Sequence, residues 1–551
     1  MSIKAFPLAC ALCAVFCATP AGFGLQAKTV SSTSAPHLMA GLGGLHHPVS
    51  TKDREAQQFF DQGLKLVYAF NHDEAHRSFQ RAAELDPKLA MAWWGVALTL
   101  GPNYNLPVDP ERETAGYDAV QRAIALKESA SEPERAYIDA LAVRYSNDPH
   151  VDFHALDVAY KNAMAKLSAC YPDDLDAATL YAESLMNLNP WKLWSHDGKP
   201  AEGTEEIVSV LESVLKRDPN HLGANHYYIH AVEASPHPER ALPSAIRLEK
   251  LAPLAGHLVH MPAHIYARVG DHLASARCNK MAAAADKKFL AETHEQGVYP
   301  LMYYSHNLHF LAYASCMRGN FAEAKRAAAE LVANVQPAIK EMPMLEGFLP
   351  TPMIVLLAFE RWDDILKLPA PDPSLATTTA VWRSLRGIAF ANIGKTDNAE
   401  NEQKAFADLV GRISPDTPYD DQNTTGAVFK IHEHLLAAAI AQSRHDDKTA
   451  LQSLAQAVAA QDALNYTEPP TWYPPVRAML GRALLAAKQA TEAEKVFRDD
   501  LARNPRYGRS LSGLRDCLRA EGRDYDADQV DRQFRAVWEF AAAESGTAPK
   551  Q

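Results

Sequence analysis

Residues 62–87 read "QGLKLVYAFNHDEAHRSFQRAAELDP", and how this stretch is read decides the fold. Gly63, Ala75, Phe79, Ala82 and Pro87 stand at fixed offsets in it, and the same offsets return near the C-terminus as Gly481, Ala493, Phe497 and Pro505. Each residue type has a physical role at its place. Gly and Ala let one helix lie close on another, Phe fills the gap between them, and Pro, which has no N–H, ends the second helix. Two such units far apart in a long chain predict a stack of helical hairpins that bury their apolar faces against each other.

The offsets resemble the tetratricopeptide repeat, a helix-turn-helix unit of 34 residues. Weaker copies lie between. Pro219 in "RDPNH" and Pro253 in "LAPLAG" are one repeat apart, Gly270 marks the next unit, Gly319 with Ala324 another, and Gly522 with Ala527 the last. Stretches 102–200 and 370–430 keep helical spacing without these marks. The resemblance implies an all-α superhelix, a solenoid of about eight to eleven helical hairpins curved around a groove. On this reading TPR-like repeats fill 55–345, degenerate hairpins 346–470, C-terminal repeats 471–541, and a tail 542–551. "HYYIHAVEAS", "GHLVHMPAHIY", "YYSHNLHF" and "EPPTWYPPVR" also resemble a group of exported bacterial tetratricopeptide proteins, which implies the architecture and no reaction.

Composition agrees with a helical array. The 551 residues are rich in Ala, and the net charge of -12 comes with no block of Lys or Arg, so no nucleic acid partner is expected. The N-terminus "MSIKAFPLACALCAVFCATPAGFG" has an early Lys, an apolar run and then small residues. It reads as a signal peptide over 1–27, cleaved after Ala21 or Ala27, followed by an N-terminal arm over 28–54. The mature protein is expected in the bacterial periplasm, without a membrane span. Cys170, Cys278, Cys316 and Cys517 are too scattered for a disulfide scaffold or a CxxC metal site, although Cys278 and Cys316 could meet between neighbouring helices.

Half of the 22 histidines lie between His221 and His309. Counted from Pro219 and Pro253, His226 and His260 share one repeat position, and His230 and His264 share another. Counted from Gly319, His309 falls with His226 and His260, while His306 falls with His257. The resemblance implies that these positions line the groove, and Glu233 joins the same stripe. Residues four apart lie on one helix face. Neutral imidazoles packed together leave buried nitrogens unsatisfied, and protonated ones repel. A bound metal answers both problems; a hydrogen-bonded histidine network or a ligand groove is the alternative.

All-imidazole ligation suits copper or zinc, with iron also able to take it. Two HxxxH pairs and an HxxH pair offer three histidines to each of two ions, a ligand set similar to that of dinuclear copper oxidases. A zinc site with Glu233 as catalytic general base is the hydrolytic counterpart. The expected function is therefore metal binding through His226, His230, His257, His260, His264, His306 and His309, in an oxidoreductase or a hydrolase. The competing expectation is a metal-free scaffold whose groove binds a small molecule, a peptide or a partner protein.

Other features read more plainly. In "HDEAH" (72–76) Ala75 is a packing residue, so His72 and His76 face away from the groove. His46 and His47 in "GLHHPVST" lie in a Gly-rich arm that reads as a flexible linker, or else as a strap over the groove. "NYTEPPTWYPPVR" (465–477), with Tyr466, Glu468 and Trp472, reads as a lid or a packing loop, and "NLNPWKLWSHDGKP" (187–200), with Trp191 and Trp194, as a pocket wall. His432 and His434 point to different helix faces, and Met261 reads as core.

Overall fold

The first hairpin starts at Asp53, whose carboxylate accepts from the Glu55 and Ala56 amides and so caps helix Arg54–Val67. Asn71 caps the second helix, His72–Leu85, through the Glu74 amide. Phe79 on that helix is buried, and its ring is wedged between two glycines. A Cβ at Gly63 would come within 2.7 Å of the ring, and one at Gly95, on helix Ala90–Leu100, within 2.3 Å. Phe497 sits between Gly481 and Gly513 in the same way, at 2.7 and 2.1 Å. The repeat marks therefore do one job at both ends of the chain. Gly63→Ala is expected to overpack this joint at a cost of about 1–3 kcal/mol, seen as a lower denaturation midpoint with helix content retained.

The computed structural model describes residues 36–544, so the leader predicted over 1–27 lies outside them. Within them the chain is an all-α superhelix, running from Arg54 to Glu544 as hairpin after hairpin. Among the described residues no helix is long and apolar enough to cross a membrane. The unmarked stretches also fold as helices, Pro110–Ala125, Glu132–Ala142, Phe153–Cys170 and Leu175–Met186 in the first, Ala376–Asn392 and Thr396–Val410 in the second. Cys278 and Cys316 are both buried and both free.

Three features depart from an open, regular groove. First, the superhelix closes on its own middle. A Cβ at Gly223 would lie 2.4 Å from the Tyr68 ring, and a Cβ at Gly270 would lie 2.2 Å from the Pro505 carbonyl oxygen, so the first repeat and a C-terminal one both pack against the histidine-bearing ones. Glu360 reinforces the second closure by accepting from Arg482 at 2.6 Å and Arg509 at 2.8 Å. Second, the helix expected over the HLVHMPAHIY stretch is broken. Pro262 has no amide to donate, and the segment forms two short helices, Gly256–His260 and Pro262–Arg268.

Third, the arm is no loose linker where it is described. The Leu254 amide donates to the Gly41 carbonyl at 3.1 Å, Gln62 donates to the His37 carbonyl at 3.0 Å, and the Ser50 amide donates to Glu134 at 2.6 Å. The arm thus straps helices that are distant in sequence.

Candidate metal centre

His226 and His230 are one turn apart on Leu222–Glu233, a helix in which every residue is buried. His257 and His260 come from Gly256–His260, His264 from Pro262–Arg268, and His306 from Tyr304–Met317. These helices bring six imidazoles into two groups of three. In each group, His226 with His230 and His257, and His260 with His264 and His306, ring nitrogens lie within 4.8 Å of one another. The groups abut, with the His257 and His260 ring centroids 5.9 Å apart and those of His230 and His264 5.7 Å apart.

The outer nitrogens fix the inner ones. His226 Nδ1 faces the Tyr68 carbonyl at 2.7 Å, and His260 Nδ1 faces Asn279 Oδ1 at 2.6 Å. Asn279 spends its NH2 group on the Ser275 carbonyl, so its oxygen is the atom turned to His260. His230 Nδ1 and His264 Nδ1 face Glu233 Oε1 and Oε2 at 3.0 and 2.5 Å. All four partners only accept, so each Nδ1 carries the hydrogen, an assignment inferred from the network. In the neutral ring each Nε2 is then a bare lone pair. Those of His260 and His264 stand 2.6 Å apart, and His306 Nε2 is 3.0 Å from the same His260 atom. In the first group His257 Nε2 is 3.1 Å from His226 Nε2.

Protons do not settle this arrangement. Burial holds His226, His257, His260 and His306 well below the usual imidazole range, and lowers His230 too. His264 is the exception: burial works against its charge, but the Glu233 carboxylate outweighs that and raises it. One proton on His264 would serve the 2.6 Å contact. It would leave His230 Nε2 and His257 Nδ1 buried without a partner, at roughly 1–3 kcal/mol for each unsatisfied group.

Aromatic rings wall both groups. Phe70, at φ 54° in the turn after the first helix, lies 4.5 Å from His226 and stacks on His257 at 5.5 Å and His230 at 5.9 Å. Phe310 is 5.2 Å from both His260 and His264. Tyr104 lies 5.0 Å from His230 and stacks on Trp191, and Trp194 donates to the Ala231 carbonyl at 2.7 Å, so the 187–200 segment is a wall. The 465–477 segment docks over the second group. Tyr466 donates to Glu468 and lies under Arg268, whose Nε donates to the Glu233 carbonyl at 2.9 Å. Burial pushes the Glu468 carboxyl up to about 7.

Two of the site residues expected from sequence are placed differently. His309 is in neither group; its ring lies 5.6 Å from Phe348 and 6.0 Å from Tyr473. Glu233 has both oxygens committed to imidazoles. Burial disfavours its charge, yet His264 and His230 hold it down to about 2, which is no state for a free general base. His72 and His76 turn to Thr99 at 3.2 and 3.1 Å, away from the centre. His46 and His47 bind Asp61 and Asp176 at 2.7 and 2.8 Å. A further set, His47 with Asp174 and Asp176, is internally satisfied, since Tyr68, Tyr137 and His221 already bind its carboxylates. His432 is buried against Trp472 at 4.9 Å, His434 is partly exposed, and Met261 is core.

Phe70, Phe310, Tyr68 and Asn279 are the participants that sequence reasoning missed. Asp286 is another. Fully buried, it accepts from Tyr299 at 2.8 Å and from Asn307, beside His306, at 2.6 Å, and it fills the space where a Cβ on Gly256 would stand. Burial pushes its carboxyl up to about 7. A folded-state value above the unfolded one means that the folded protein binds the extra proton, so stability falls as pH rises from about 4 to about 7. Asp286→Asn, whose amide can donate to the unpartnered Asn307 Oδ1, is expected to melt higher than the wild type at pH 8, with the gain gone at pH 4.

The chain is therefore a stack of helical hairpins closed around a largely buried six-histidine centre. No family model matches it, and no curated protein does. Among solved structures it is similar to a chain of the APC/C hetero-tetramer Cut9–Hcn1, at 14% identity over 84% of this chain and 76% of that one, with a TM-score of 0.32. Human IFIT1, solved as a dimer with m7Gppp-AAAA, is 14% identical over 88% of this chain and 91% of its own, also at 0.32. The P58(IPK) TPR domain is 10% identical over 85% and 98%, at 0.23. Similarity this low carries nothing about the centre.

Proposed function

We propose that this protein holds two transition-metal ions, one on His226, His230 and His257 and the other on His260, His264 and His306. The observation that supports this reading is the tautomer pattern. Four imidazoles have their hydrogen tied down at Nδ1 by a carbonyl, an amide oxygen or a carboxylate, and turn bare Nε2 atoms inward. Such outer partners are what orient a metal-binding imidazole and raise its basicity. Copper suits the all-nitrogen set best, and a leader that exports the protein would let it load outside the cytoplasm. Copper held by these histidines would supply redox chemistry.

An oxidoreductase fits the residues better than a hydrolase. Glu233 has no oxygen free to take a proton from water, and Phe70 and Phe310 wall the ligands with hydrocarbon. A superhelix of this type is also a scaffold that supports protein or peptide binding. Here the chain's own rings fill the histidine-lined face, so a partner would dock elsewhere.

The test is to purify the mature protein, load it with copper, and measure metal content and melting temperature. Two equivalents are expected, with each ion held at a thousand times its Kd adding about 4 kcal/mol, and a chelator should reverse the gain. Metal content below about 0.3 equivalents with no shift in melting temperature would sink the proposal.

A further inference from the structure

We infer, building on the two-ion reading, that Glu233 is the shared positioning residue of both ion sites, one carboxylate that orients an imidazole of each. Its two oxygens are divided between the groups: Oε1 faces His230 of the first and Oε2 faces His264 of the second. The other outer partners serve one site only, Asn279 through His260 and the Tyr68 carbonyl through His226. Glu233 is held from behind as well. It is the last residue of its helix, its side chain is 1% exposed, and its carbonyl accepts from Arg268.

The chemistry demands a carboxylate. Two N–H donors meet this side chain, one at each oxygen, and a carboxylate offers an acceptor at both places. Glutamine has the same shape but one oxygen and one NH2. In Glu233→Gln one of the two histidines therefore faces a donor. To accept from it, that ring must move its hydrogen from Nδ1 to Nε2, the position where its ion belongs. The swap alters no packing and still disables one ligand in one site.

Glu233→Gln is thus expected to hold one ion tightly where the wild type holds two, with the second weakened up to about a hundredfold, the upper range for loss of an outer partner. Glu233→Asp keeps two acceptors and should hold both ions, each about tenfold weaker. Asn279→Leu should weaken only the second site. Histidine nitrogen NMR on selectively labelled, metal-free protein gives a readout that needs no ion. His230 and His264 should both be Nδ1–H in the wild type, and one of them Nε2–H in Glu233→Gln.

Two equivalents at wild-type affinity in Glu233→Gln, or one ion lost outright in Glu233→Asp, would overturn the inference. A wild type that holds no metal would overturn the two-ion reading instead. In that case unchanged tautomers in Glu233→Gln would dispose of the positioning role separately. If Glu233→Gln does not fold, the Glu233→Asp and Asn279→Leu stoichiometries still decide it.

Discussion

Purified His260→Ala protein is expected to retain one equivalent of metal where the wild type retains two. His260 Nε2 is the hub of the second group, 2.6 Å from His264 Nε2 and 3.0 Å from His306 Nε2, and the first group does not use it. Structural zinc sites are worth about 10–16 kcal/mol over four ligands, so one imidazole is worth on the order of 3 kcal/mol, more than a hundredfold in affinity. The ion left on His264 and His306 alone should wash out during gel filtration, and the melting-temperature gain on loading should fall by about half. His309→Ala is the matched control. It removes a histidine three residues from His306 that the structure keeps out of the centre, and it should hold both ions. Loss of an ion in His309→Ala, or full occupancy in His260→Ala, would show that the ligand sets are wrongly drawn.

That contrast marks how far the sequence reaches. The repeat marks around Phe79 and Phe497 were legible because one ring wedged between two glycines needs those residues and little else. The pairing of His226 with His230 and of His260 with His264 was legible for a related reason, since spacing of four puts two rings on one side even across the break at Pro262. His309 was misplaced although it was counted from Gly319, just past the end of its own helix, because a repeat position says nothing of how far neighbouring helices are shifted along their axes. After His264 the second helix of the hairpin, His272–Thr293, runs to 22 residues, and the π-turn Tyr299–Tyr303 follows. In the helix that comes next it is His306 that meets His260, while His309 lies against Phe348 and Tyr473.

Phe70 and the Tyr68 carbonyl were not legible for a different reason. They reach the centre only because the superhelix closes on itself, a contact between residues 158 apart. No local pattern encodes such a closure. Glu233 shows the same limit at the level of chemistry. Its place on the stripe was readable, but its role depended on which atoms faced its two oxygens, and that required the position of His264.

The charge of the centre makes the last prediction. Glu233 contributes one negative charge, shared by both groups, while burial pushes the Glu468 carboxyl up to about 7, so at about pH 6 it is mostly uncharged. His226, His230, His257, His260 and His264 are all at most 2% exposed, so water does little to offset any excess. A first monovalent copper ion brings this neighbourhood to neutrality, and a second leaves it one charge positive. A first zinc ion already leaves it one positive, and a second leaves it three positive, with an ion–ion repulsion four times that of the monovalent pair. Zinc also seeks a fourth ligand that neither triad offers. Under anaerobic conditions, titration with Cu(I) is expected to fill both sites within about tenfold of each other. Zn(II) should fill one and bind the second at least a hundredfold more weakly, a step of about 2.7 kcal/mol. Competition against a calibrated chelator measures both. Two zinc ions held with equal affinity would mean that the centre carries more negative charge than Glu233 supplies, and would turn the reading back toward a hydrolytic pair of divalent ions.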